Sequence, residues 1–226
     1  NWAASIPTNG TPGRVNSVMT NNVAPFILDV RHFPSIPTST ESVQVTARLI
    51  DETVPSVTVT LHHRIDSTTP NAFTVVPMTD DGQNGDAAAG DSLYTATIPA
   101  RAANAVVEFY VTAIDVHGRV RTWPAPAIPA TDGTGPSGQV ANALYQVDDA
   151  VYSPANNQPL YKLIMTEAER AELAGIPCTS SQNSDAQMNG TFISLDTSGT
   201  QIRYLVGFRN RGHGTRCANP PNYHIG

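Results

Sequence analysis

The sequence predicts a mainly β chain: a sandwich of antiparallel strands, then a small α+β segment of one strand, one short helix and a hairpin. Three observations carry that prediction. Between Pro25 and Trp123, about seven short strand-like runs are separated by turn residues. Two of these runs alternate with period two. Val43, Val45, Ala47 and Leu49 interleave with Gln44, Thr46 and Arg48, and Val57, Val59 and Leu61 interleave with Thr58, Thr60 and His62. Alternation of this kind buries one strand face and wets the other. Further on, Thr166-Glu167-Ala168-Glu169 is a capping-box sequence, a helix start signal set between strand-like runs.

Residues 1–24 are polar and hold Pro7, Pro12 and several Asn and Gly without periodicity. They read as an extended N-terminal segment that cannot build a core of its own. Residues 25–123 read as the sandwich, with strands at Phe26–Val30, 42–50, 56–64, Phe73–Pro77, Leu93–Ile98, Val106–Asp115 and Arg119–Trp123. Residues 124–159 carry Pro124, Pro126, Pro129 and Pro136 among Ala, Gly and Thr. Proline removes backbone donors and favours extended chain, so this stretch reads as a linker or crossover, with room for one strand within 142–152. In residues 160–226 a strand is expected at Leu160–Met165. A helix follows, capped by Thr166, with Glu169 reaching back to it. It runs to Ala174, with Gly175 as its C-terminal cap and Pro177 as the stop. A hairpin of residues 188–195 and 200–209 turns through Asp196-Thr197-Ser198-Gly199.

Some of these segments carry resemblances. The short strands, with Val107-Glu108-Phe109-Tyr110-Val111-Thr112-Ala113-Ile114-Asp115 closed by His117-Gly118-Arg119, resemble a sandwich of the immunoglobulin or fibronectin type III kind. No cysteine pair lies within it, which sets it apart from antibody domains. Asn1-Trp2-Ala3-Ala4-Ser5 with Gly10-Thr11-Pro12-Gly13-Arg14-Val15-Asn16-Ser17 resembles the closing residues of a lamin-tail-like domain, a sandwich found in bacterial secreted proteins. The helix start Met165-Thr166-Glu167-Ala168-Glu169-Arg170 precedes a hairpin ending Val206-Gly207-Phe208-Arg209-Asn210-Arg211-Gly212-His213-Gly214. Together they resemble the opening of a spore-coat CotH domain, and that family comprises secreted atypical kinases. This likeness covers Leu160 to Gly226, part of such a domain. The order of the three resembles large bacterial surface proteins, and it implies a secreted, modular protein at the cell surface. The kinase pattern is departed from. Such kinases carry a lysine facing the nucleotide phosphates, whereas the matching strand here reads Pro220-Pro221-Asn222-Tyr223-His224-Ile225. The acidic metal ligands of that family do not fall within the chain.

Composition narrows the partners. The apolar fraction of 40% supplies cores, while the charged fraction of 14% is low. A net charge of -6 argues against nucleic acid, since nothing would neutralise phosphates along a face. No apolar run is long enough to cross a bilayer. The chain opens on Asn1 with no apolar signal segment, and reads as processed or as a piece of something longer. Cys178 and Cys217 both lie in Pro/Ser/Asn-rich loop sequence. In a secreted chain such a pair reads as a disulfide, whose loop closure contributes about 3–4 kcal/mol on a chain-entropy account. The alternative is two free thiols, and the spacing fits no zinc pattern.

The stretch richest in chemistry runs from Thr79 to Tyr94, with four aspartates and three glycines. Counted from Asp80, an EF-hand would need a ligand at its third position, where Gly82 stands, and a Glu at the twelfth, where Asp91 stands. It is no EF-hand. Asp80, Asp81, Asn84, Asp86 and Asp91 still offer oxygen ligands for calcium; the alternative is a long turn whose Asp and Asn side chains bond nearby amides. The six histidines do not cluster, and Arg209, Arg211 and Arg216 suit ion pairs better than an isolated phosphate site. No nucleophile motif such as G-x-S-x-G occurs. The reading is a non-catalytic extracellular structural or spacer module of a bacterial surface protein, with neighbouring domains or identical subunits as partners. Two alternatives stay open. One is a subunit of a filament assembled by strand exchange. The other is a fragment of a secreted CotH-type kinase.

Overall fold

A computed structural model describes residues 20–52, 56–128, 137–152, 158–177, 184–212 and 222–226, with Gly13, Arg216 and Ala218. Cys178 and Cys217, and most of the residues that resemble a lamin-tail end, lie outside the described residues. The alternating runs become strands whose apolar residues point one way. In β2 (Val43–Ile50), Val43, Val45, Ala47 and Leu49 are buried while their neighbours are half-exposed. In β3 (Thr58–Ile65), Val59, Leu61 and His63 face inward. Burying each aliphatic side chain of this kind contributes about 1.5–3 kcal/mol.

Two antiparallel sheets form the predicted sandwich. The first has the order β1–β2–β5, with β1 at Phe26–Phe33 and β5 at Leu93–Ile98. The second has the order β4–β3–β6–β7, with β4 at Thr74–Met78, β6 at Val106–Ile114 and β7 at Val120–Trp123. One core lies between them, with Val45, Ala47, Leu61, Ile98, Val107, Phe109, Val111 and Ala113 removed from solvent. β1 runs further than its expected end at Val30. It passes through a bulge at Asp29 (φ 49°) and continues to Phe33.

The segment read as a linker contributes to the sandwich. Its β8 (Ala143–Gln146) pairs with the first half of β6, Phe109 opposite Ala143, while β7 pairs with the second half. The two lie in line along one edge of β6, a single edge strand interrupted by residues 124–142. Pro124 has no N–H to continue the β7 ladder. Ala143, Leu144, Tyr145 and Val147 are all buried.

The remaining elements build the small α+β segment: β9 (Leu160–Ile164), α1 (Glu167–Gly175), β10 (Met188–Asp196), β11 (Gly199–Asn210) and β12 (Tyr223–Ile225). Their sheet has the order β12–β11–β10–β9 and is antiparallel throughout. Both faces of this sheet are covered. Met165, Leu173, Met188 and Phe208, with Leu163 and Val206, pack under α1. Ile164 and Ile193, with Ile202, pack instead against Leu144, Ile36 and Val106 of the sandwich. The helix start differs from the expected box. Glu169 N–H donates to Thr166 Oγ1 at 3.2 Å, as read, but the Glu169 carboxylate accepts from Asn189 N–H at 3.1 Å instead of returning to its cap. Asp66 of the sandwich takes the Glu167 N–H at 2.7 Å, so a second acceptor for the helix end comes from across the junction. Gly175 closes the helix from within its last turn, and Ile176 is the capping residue.

Candidate functional site

The aspartate loop leaves β4 in one sheet and enters β5 in the other. Its base is tied by paired hydrogen bonds between Thr79 and Thr95. Gly82, Asn84, Gly85, Gly90 and Ser92 all have positive φ, which winds the loop tightly enough to turn its carboxylates inward. Asp80 accepts three amides: Gly90 at 2.7 Å and Asp91 at 3.2 Å on Oδ1, and Ser92 at 2.9 Å on Oδ2. Asp86 is buried, with Oδ2 accepting from Gly82 N–H at 2.6 Å and Oδ1 buried without a partner. Asp91 is exposed and accepts from Leu93 N–H at 2.9 Å. One ligand oxygen from each of Asp80, Asp86 and Asp91 lies within 4.8 Å of the others. Asp81 is exposed and turned to Gln83 N–H at 2.9 Å, and Asn84 is an exposed turn residue. The loop thus brings together three of the five candidate ligands.

A cleft of about 410 Å³ opens where α1 meets the sandwich, lined by Arg64, Asp66, Glu108, Asn142, Thr166 and Glu169 among others. It is the place where an active site would be sought, because burial pushes the Asp66 and Glu169 carboxyls above their usual range. Their geometry is structural. Asp66 holds the α1 amide, Glu169 holds the β10 amide, and buried Glu108 takes a two-point contact from Arg64 at 2.9 and 3.2 Å plus Asn142 Nδ2 at 2.8 Å. Each carboxylate bridges elements of the fold.

Alongside the cleft, the junction between sandwich and second sheet is closed by an aromatic cluster that the sequence reading missed. His32 of β1 is almost fully buried. Its ring stacks on Tyr145 of β8, centroids 5.2 Å apart, and lies edge-on to Phe109. Tyr204 of β11 reaches in from the other unit and packs edge-on against Phe109 and Trp123. Its hydroxyl accepts from the His32 backbone N–H at 3.1 Å and bonds to Nδ1. The Ser35 carbonyl, 3.1 Å from Nε2, can only accept, so Nε2 carries the proton and Nδ1 takes the tyrosine proton. This network serves a neutral imidazole. Burial accordingly holds His32 down at about 4 and pushes the Tyr145 and Tyr204 hydroxyls well up.

What points Tyr204 into the sandwich is a bulge. The β10–β11 register shifts at Gly190/Thr191, and Leu205 sits at φ 57°. Ile202 and Tyr204, before the bulge, pack toward the sandwich; Val206 and Phe208, after it, pack under α1. In a regular strand all four would share a face. The β1 bulge was hidden too: Phe26, Leu28, Val30 and His32 keep period two in sequence, while the structure buries Ile27, Val30 and His32. Nothing local marks Leu205.

The remaining polar candidates are spread out. His62 stacks on Tyr110 outside the core, while His63 is buried in it. Arg209 and Arg216 converge on Asp185, at 2.6 and 2.8 Å. No helix among the described residues is long and apolar enough to cross a membrane. No family model matches the chain, and no match was found among curated proteins.

Proposed function

We propose that the chain is a non-catalytic extracellular structural module of a bacterial surface protein, in which a fibronectin-like sandwich and the four-stranded sheet act as one stiff spacer. The observation that carries this reading is the junction. A histidine–tyrosine network around buried His32, an aliphatic cluster around Leu144 and the Asp66 bond to α1 join the two units. The commitment of Asp66, Glu108 and Glu169 to such bonds supports a structural role for the cleft. The low charged fraction and the resemblance to surface-protein modules support the extracellular assignment. Arg209 and Arg216 share Asp185, an arrangement that offers little free charge to a nucleotide phosphate and so does not favour the kinase alternative. Pulling single chains by their termini tests the spacer role. One unfolding event spanning both units is expected; two separate events, with the second sheet yielding first at low force, would contradict it.

A further inference from the structure

The geometry points to a calcium site in the loop between β4 and β5, with Asp80, Asp86 and Asp91 as its carboxylate ligands. Clustered acidic residues alone would not carry this. The second observation is Asp86 itself: 6% exposed, held by Gly82 N–H through one oxygen, with the other oxygen of the same clustered carboxylate buried and unpartnered among the described residues. A buried carboxylate oxygen without a donor is costly unless a cation meets it. Among the described residues none of the three aspartates makes an ion pair. The nearby Arg48 turns its Nε to Asp29 and approaches Asp91 only at the backbone carbonyl, 3.5 Å away.

Size and chemistry select the ion. All three donors are hard oxygens, which excludes a preference for zinc, copper or other nitrogen- and sulfur-seeking metals. Calcium–oxygen contacts place opposed ligand oxygens about 4.6–5.2 Å apart, whereas magnesium allows about 4.2 Å in a near-ideal octahedron. Three carboxylate oxygens within 4.8 Å of one another fit inside the span of a calcium ligand shell. Asp80 Oδ1 is saturated by its two amides, but Asp80 Oδ2 and the Asp91 oxygen bonded to Leu93 N–H each accept one and keep a lone pair for an ion. The remaining coordination falls to water and loop carbonyls. An occupied site would pin the crossover between the two sheets, a role separate from the junction on which the spacer reading rests.

Titration calorimetry of the full chain with calcium chloride, alongside thermal melts in calcium, magnesium and EDTA, tests the site. Saturable calcium binding is expected with Kd in the range of about 10⁻⁴–10⁻³ M found for extracellular modules. The melting temperature should rise by about 3–6 °C at ten times Kd, with a smaller rise in magnesium. Asp91→Asn and Asp81→Asn both alter exposed carboxylates and leave the fold intact. Asp91→Asn should weaken binding by about tenfold or more through the lost ligand charge, and Asp81→Asn by less than about twofold. No saturable heat and no melting shift at about 10 mM calcium, or equal weakening by the two variants, would overturn the assignment.

Discussion

At the scale of single residues, His32 and Tyr204 tie the sandwich to the second sheet. Tyr204→Phe keeps the ring contacts with Phe109 and Trp123 but removes the hydroxyl that pairs the His32 N–H and Nδ1 at a part-buried junction. It should cost about 1–3 kcal/mol in chemical denaturation. The histidine also sets a pH dependence. Its folded value of about 4 lies below the ordinary 6.5, so folding favours the neutral ring. The stability tied to His32 is complete above about pH 6.5, declines as pH falls, and is gone below about pH 4, a loss of up to about 3 kcal/mol. An NMR titration should place the His32 midpoint near 4, and a midpoint near 6.5 would sink the buried network. These residues were not legible in the sequence, since each is one polar or aromatic residue in an ordinary strand and the pairing spans 172 positions. The aspartate loop was more legible. Its spacing announced a cluster, although which carboxylates turn inward depends on five positive-φ residues acting together.

At the scale of elements, period two gave the strands, because in a half-buried sheet the pattern of burial is the pattern of the sequence. It failed where geometry departs from period two. The bulges at Asp29 and Leu205 each shift a face by one residue, and β8 is a four-residue strand in a proline-rich stretch whose partner is supplied by tertiary pairing. Glu169 misled for a related reason: Thr166 caps the helix as expected, but β10 offered the Glu169 carboxylate a competing amide. The bulge at β11 has a sharp requirement opposite it. A Cβ added to Gly190 would meet the Phe208 ring at 2.2 Å and the Ile164 carbonyl oxygen at 2.6 Å. Gly190→Ala should therefore destabilise by about 1–3 kcal/mol or more through overpacking. Leu205→Gly, which relieves a left-handed conformation at an exposed site, should change stability by no more than about 1 kcal/mol in either direction. Equilibrium unfolding of the two variants reads both numbers, and equal losses would argue against a bulge at Leu205.

At the scale of the whole molecule, the four-stranded sheet lies between α1 and the sandwich, and its two faces feed two cores. Composition indicated enough apolar residues for cores but not how many, because a sheet with one wet face and a sheet covered on both faces differ only in what packs against them. Joined across the His32–Tyr204 contact, the sandwich and the α+β segment should unfold as one cooperative unit. Differential scanning calorimetry of the full chain at neutral pH tests it most directly. One transition is expected, with a calorimetric-to-van't Hoff enthalpy ratio near one, moved as a whole to lower temperature by Tyr204→Phe. Two separable transitions, or a Tyr204→Phe shift confined to one of them, would contradict it.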